Sequence, residues 1–155
     1  MIALADAGVA VLDCVHATPK DAGEGFPYIA IPNVQDGRVQ LEGVRRISLP
    51  DYKKWTTKTT PLPGDILVTR RGRVGDTAPV PVGLRCAIGQ NLVLLRSEGE
   101  QVDQGYLRWA TRGPLWTAEV DRLRNVGAVF DSLNVRDISR LRIPVPPLAE
   151  QRRIA

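Results

Sequence analysis

Histidine and cysteine are nearly missing from this 155-residue chain: His16 is the sole histidine, and Cys14 and Cys86 are the sole cysteines. Two cysteines cannot build a disulfide framework, and three Cys/His side chains fall short of the four ligands that a structural zinc site takes. The thiols read instead as small buried hydrophobes in a reducing compartment. A single histidine leaves one candidate base for a Ser–His pair, and no Gly-x-Ser-x-Gly elbow accompanies it. No Glu is followed two residues later by Lys, which removes a common carboxylate–lysine nuclease arrangement. Gly72-Arg73-Val74-Gly75 is neither Gly-x-Gly-x-x-Gly nor a P-loop. The Gly-x-x-Gly loop that clamps RNA lies between helices, whereas this one follows an apolar strand-like run. No apolar stretch reaches the roughly 18 residues of a membrane span. The first six residues carry no basic side chain and do not read as a signal peptide. A cytoplasmic protein without membrane, metal or cofactor is expected, and one that binds rather than catalyses.

What is present is ordinary in amount and uneven in placement. The length suits one domain with a sizeable core. Hydrophobic residues make up 43% and charged residues 25%, the balance of a soluble globular chain. Twelve prolines and fourteen glycines predict many turns and short elements. Residues 1–37 carry one lysine against five acids, residues 38–73 nine basic residues against three acids, and residues 74–155 eleven against nine. A middle third of net charge +6 suits a polyanion such as nucleic acid, although a solvated basic surface accounts for it equally well.

Strands are expected at 9–15, 26–31, 44–48 and 66–68, with a tight turn at Asp36-Gly37. Leu49–Trp55 fits one helical turn with proline near its start. Residues 85–96 form the most continuous apolar run and read as one buried strand bent at Gly89. The period then changes. A helix is expected from Asp103 to Thr111, with Asp103 as N-cap and Gly113-Pro114 interrupting it. A second helical segment places Trp116, Val120 and Leu123 on one stripe. Residues 125–130 read as a loop or short strand, followed by a short helix capped by Asn134 over 135–141. An extended piece covers 142–145, and a last helix starts at Pro147. Strands early and helices late give an α+β chain, with a curved β-rich N-terminal part and C-terminal helices.

The sharpest candidate site is the stretch from Thr60 to Thr77. Pro61 and Pro63 exclude helix, Ile66-Leu67-Val68 makes a buried strand, and Gly72 and Gly75 shape a loop holding Arg70, Arg71 and Arg73. Arginine's planar fork matches phosphate oxygens and guanine O6/N7, and Thr69 and Thr77 could add phosphate contacts. The plainer reading pairs these arginines with Asp65 and Asp76. Lys53, Lys54 and Lys58 beside Trp55 form a second basic cluster, with Trp55 expected to pack inward. The Gln90 and Asn91 amides can read adenine, or form a turn or a satisfied buried pair. Trp109 and Trp116 read as core residues rather than stacking platforms.

The run Asn134-Val135-x-Asp137-Ile138-x-x-Leu141-x-Ile143-Pro144-Val145-Pro146-Pro147-Leu148-Ala149-Glu150-Gln151-x-x-Ile154-Ala155 closely resembles the end of a target recognition domain in specificity (S) subunits of type I restriction–modification systems. Gly64-Asp65-Ile66-Leu67, Asp13-Cys14-x-His16-x-Thr18-Pro19-Lys20 and Ile88-Gly89-Gln90-Asn91-Leu92 fit earlier segments of that family in the right order. The resemblance implies a non-catalytic reader of double-stranded DNA with no cofactor of its own. It implies residues 1–145 as the recognition domain and 146–155 as the start of a conserved spacer helix, which the chain end cuts off. DNA contacts are then expected from His16, Lys20, Lys53, Lys54, Thr69, Arg70, Arg71, Arg73, Gln90 and Asn91. In the family such subunits dock methyltransferase subunits, which bind S-adenosylmethionine, and through them restriction subunits. Glu150, Gln151 and Arg152 are the docking residues expected here, with pairing to a second half-subunit through the spacer helix. The alternative is an S-like interaction module that occupies methyltransferase subunits without reading DNA.

Overall fold

A computed structural model describes residues 1–155. In chain order the strands and helices are β1 (Ile2–Ala3), β2 (Val9–Leu12), β3 (Phe26–Ile29), β4 (Val34–Gln35), β5 (Arg38–Val39), β6 (Arg45–Ile47), α1 (Leu49–Trp55), β7 (Ile66–Thr69), β8 (Thr77–Pro79), β9 (Ala87–Ile88), β10 (Leu92–Ser97), α2 (Gln104–Ala110), α3 (Gly113–Leu123), α4 (Val135–Ile138), β11 (Arg142–Ile143) and α5 (Leu148–Ile154). The class is α+β. The strands form a four-stranded sheet β2-β10-β7-β8, a three-stranded sheet β6-β3-β9, and two two-stranded pairs, β4-β5 and β1-β11.

The centre is the antiparallel pair β7–β10, in register Leu92↔Thr69 to Leu95↔Ile66. Both strands are apolar at successive positions because both faces are covered. Side chains alternate across a strand, so Ile66, Val68, Val93 and Leu95 enter a core shared with Tyr106, Leu107, Trp116, Val120, Leu133 and Ile138. Leu67, Leu92 and Leu94 enter a second core with Cys14, Ile29, Cys86 and Ile88. A third, smaller cluster gathers Tyr28, Ile47, Tyr52, Trp55 and Ala87.

Local sequence explains most element ends. Asp36 and Gly37 both take positive φ, 53° and 74°, which is the backbone of a two-residue hairpin turn joining β4 to β5. Ser48 caps α1 by accepting from the Asp51 amide, and Asp103 caps α2 by accepting from the Tyr106 amide.

Four expectations change. The run 85–96 is two strands in different sheets: β9 lies parallel to β3, β10 lies against β7, and Gly89 marks the break. Gly113-Pro114 does not merely end a helix; it opens α3, with proline in the first turn where its missing N–H costs nothing. The helix after Asn134 stops at Ile138. Trp109 is 45% exposed, whereas Trp116 is buried as expected. The N-terminal strand β1 was not foreseen; it pairs with β11, Ile2 opposite Ile143. No helix is long and apolar enough to cross a membrane.

A buried carboxylate fastens the helical end to this frame. Glu119 on α3 accepts from the Arg142 amide at 3.0 Å and from the Arg142 and Arg122 guanidinium groups at 2.6 and 2.8 Å. Hydrogen bonds from Arg142 first, then Arg122, hold its carboxyl at about 2, well below the ordinary 4.5. A depressed carboxyl stabilises the fold fully above its unfolded value and loses that contribution as pH falls through the folded one. Glu119→Gln should therefore lower stability at pH 7 by roughly 1–3 kcal/mol. In urea titrations the gap between variant and parent should close between pH 4.5 and 2. Burial pushes the thiols of Cys14 and Cys86 up to about 11 and about 12. Both should resist alkylation at pH 8 in the folded protein and react at once in denaturant, as followed by mass shift.

Candidate nucleic-acid interface

Strand β7 ends at Thr69, and the register of β7 against β10 decides what lies beside the next residue. Arg70 leaves the sheet with its amide donating to the Asn91 carbonyl at 2.8 Å, and its guanidinium donates to the Gln90 carbonyl at 3.0 Å. The Arg70 carbonyl accepts from the Leu133 amide at 2.8 Å. Two loops distant in sequence are thereby zipped to the arginine loop from either side. His16 arrives from the segment after β2, held by Asp13 at 2.8 Å.

The result is a polar cleft of about 270 Å³ lined by His16, Arg70, Arg71, Gln90, Asn91, Ser132, Leu133 and Asn134. Five of the expected contact residues meet there from three separate stretches of chain. Burial alone would raise the Asp13 carboxyl. Hydrogen bonds from His16 and the Cys14 amide, with the charge of Arg70, outweigh it and hold the carboxyl low. The cleft therefore keeps one fixed negative charge at its edge, behind His16. Arg70 Nε is enclosed without a hydrogen-bond partner, a cost of the sort that functional sites carry. Arg71 is exposed, and its guanidinium carbon stands 4.6 Å from the centre of the Phe130 ring. A guanidinium stacked on an aromatic face keeps its edge donors free.

The other expected contacts fall elsewhere. Thr69 is fully buried: its hydroxyl donates to the Arg73 carbonyl and accepts from the Asp76 amide, so it shapes the loop and cannot reach a ligand. Arg73 turns away from the cleft; its guanidinium donates to the carbonyls of Val34 at 2.9 Å and Ile31 at 3.3 Å and pairs with Asp76 at 3.5 Å. That pair matches the plainer reading for this arginine alone, since Asp65 instead takes Arg96 at 2.6 Å. Gly75 is required where the loop closes: its φ is +84°, and a Cβ there would meet Val120 at 2.6 Å. Lys20, Lys53 and Lys54 are exposed but outside the cleft lining. Trp55 is buried, and its indole donates to the Ala17 carbonyl at 2.9 Å, fixing α1 to the His16–Lys20 segment. On α5, Glu150 and Arg152 are exposed, whereas Gln151 is fully buried. The Gln151 amide accepts from the Asp103 amide and donates to the Gln101 and Pro146 carbonyls, so it anchors α5 rather than offering a docking group.

Sequence reading missed Ser132, Leu133, Asn134 and Phe130. Phe130 ends an apolar run, Val126 to Phe130, with neither helical nor strand period, and Asn134 reads only as a helix cap and the start of the C-terminal motif. Asp13, Cys14 and His16 do bring ligand atoms within 4.8 Å of one another. The Cys14 thiol, however, already donates to the Gly89 carbonyl at 3.0 Å, and burial keeps it protonated, so the trio does not fit a metal in its present arrangement.

A family model for the type I restriction modification DNA specificity domain matches residues 15–155. The chain is 29% identical over 135 residues to a Methanocaldococcus jannaschii protein named as the type I restriction enzyme MjaX specificity subunit, covering 86% of this chain and 28% of that one. The fold matches the HsdS subunit from Thermoanaerobacter tengcongensis with a TM-score of 0.63 at 23% identity, over 99% of this chain and 34% of that one. It also matches a type I restriction–modification S subunit from M. genitalium, with a TM-score of 0.64 at 16% identity, over 94% of this chain and 34% of that one. The chain thus spans about a third of the length of these relatives.

Proposed function

The chain belongs to the type I restriction modification DNA specificity domain family, and from that membership we propose that it is a non-catalytic domain that reads one half of a bipartite site in double-stranded DNA. One observation carries the reading: His16, Arg70, Arg71, Gln90 and Asn91, far apart in sequence, line one polar cleft. Phosphate contacts would position a duplex there, and amides and a guanidinium fork are the groups that read base edges. Arg71 is the principal contact because it is the exposed arginine of the cleft, pairs with no carboxylate and stands against the Phe130 ring. Arg70 contributes its remaining donors, and His16, Gln90 and Asn91 complete the surface. Lys20, Lys53 and Lys54 act as outlying phosphate contacts.

In this reading residues 1–145 are the recognition domain and 146–155 open a spacer helix that is already docked on α2 through Gln151. Partner methyltransferase subunits, and restriction subunits through them, meet the helical end. The support is an apolar hollow beside exposed Glu150 and Arg152, lined by Trp109, Leu115, Pro144 and Ile154. Trp109, Leu115 and Ile154 are 45%, 58% and 44% exposed, the kind of patch that a protein partner covers. A second half-subunit would pair along the spacer helix, and the whole would work in the cytoplasm with its DNA.

Selection from a random duplex library, with methyltransferase subunits present, should enrich a shared half-site, and binding should fall steeply with salt. Arg71→Ala should cost roughly 1–3 kcal/mol of DNA binding. Failure to enrich any sequence would overturn the DNA-reading role. Leu115→Asp should abolish co-purification with the methyltransferase subunits while leaving the melting temperature of the isolated chain unchanged.

A further inference from the structure

Val126-Gly127-Ala128-Val129-Phe130 is the most exposed apolar stretch of the chain: Val126 is 84% exposed, Val129 87% and Phe130 46%. No charged or polar side chain interrupts it. Isolated exposed apolar residues are ordinary, but a contiguous set on one protrusion marks a contact surface.

The protrusion is built rather than slack. Its neck is closed by the antiparallel bridge Asn125↔Ser132, with both backbone hydrogen bonds made, at 2.8 and 3.0 Å. Arg124 braces the same neck by pairing with Asp131 at 3.0 Å. A Cβ at residue 127 would fall on the Phe130 carbonyl oxygen, so the turn at the tip closes only with Gly127. A contact surface held in one shape loses little entropy on binding.

Its position is fixed against the cleft. Ser132 bridges Arg71, the Gly72 amide donates to the Asp131 carbonyl at 3.3 Å, and Ser132, Leu133 and Asn134 run directly into the cleft lining. Phe130 lies against the guanidinium of Arg71. The arginine that is freest to touch DNA and the apolar tip therefore form one unit. A groove about 12 Å wide admits elements as broad as a helix or a two-stranded ribbon, so a loop closed by one bridge can enter it, and the apolar group that a duplex presents there is the 5-methyl of thymine.

We propose that the Val126–Phe130 tip reads the 5-methyl group of a thymine in the major groove, next to the base or phosphate that Arg71 engages; this rests on the DNA-reading role above. Val126 and Val129 supply the apolar contact, and Phe130 holds the Arg71 fork at a fixed offset from them. The tip thus adds to the cleft's hydrogen bonds a discrimination that hydrogen bonds cannot make, since thymine and uracil present the same donors and acceptors.

The test uses the full chain with methyltransferase subunits and the duplex enriched by selection. Each thymine is replaced in turn by uracil, which removes the methyl and nothing else. At one or two positions the parent should bind roughly threefold to fivefold more weakly, the equivalent of burying one methyl. A Val126→Ser, Val129→Ser double variant should bind thymine and uracil duplexes equally, with the parent's salt dependence and melting temperature retained. Salt-dependent, sequence-selective binding with no methyl-sensitive position would overturn the proposal and leave the DNA-reading role standing. Methyl sensitivity that survives in the double variant would also overturn it, as would a double variant that alters only self-association. A parent that selects no sequence at all would instead remove the reading on which the proposal stands.

Discussion

The pairing of β7 with β10 is the constraint from which the rest follows. Both strands are buried on both faces, so their side chains divide the interior into two cores and their register cannot slip. A shift of one residue would send Leu67 and Leu94 into the helical core and Val68 and Val93 out of it. The same register places Thr69 opposite Leu92, and so Arg70 beside Asn91 and Gln90. The cleft is the continuation of a packed ladder beyond its last apolar pair. The apolar effect that holds the sheet together is also what positions the polar groups, and no cleft residue has to supply its own anchoring energy.

Charge alone would not have located the site. The excess of basic residues suggests a broad positive face, yet several arginines are already paired with carboxylates. Arg96 is matched to buried Asp65, Arg122 and Arg142 to Glu119, and Arg124 to Asp131. Arg73, in the middle of the candidate loop, holds two carbonyls of the segment 31–34. Arg71 is exposed and meets an aromatic ring, whereas Arg70 is tied to the Gln90 carbonyl and Arg73 to Asp76. An aromatic partner orients the guanidinium without neutralising it, which suits a group that must still meet a polyanion.

Much of the fold was legible because the deciding signals were local. Asp36-Gly37, Pro50, Asp103 and the Trp116–Val120 stripe each act within a few residues, and each appears where its chemistry requires. What was not legible depended on long-range pairing. An apolar run such as 85–96 carries no mark of which sheet receives it, so the jump at Gly89 between two sheets could not be read. The bridge from Arg71 to Ser132 spans the chain between β7 and α4, and with it the Ser132–Asn134 side of the cleft could not be read from local pattern. Thr69 and Gln151 were misread for a related reason: a polar residue in a good position for a ligand is equally good at satisfying backbone, and burial decides between them.

The pairing of β1 with β11 sets Ile2 directly across from Ile143, so two stretches far apart in sequence lie side by side. The pairing continues in the Leu4 and Ala5 amides, which donate to the Leu141 and Ser139 carbonyls, and it closes the intervening chain into one long loop. A surface loop within that span could change in length without moving its two ends, whereas the core strands could not, since Leu4 and Ile143 pack against them.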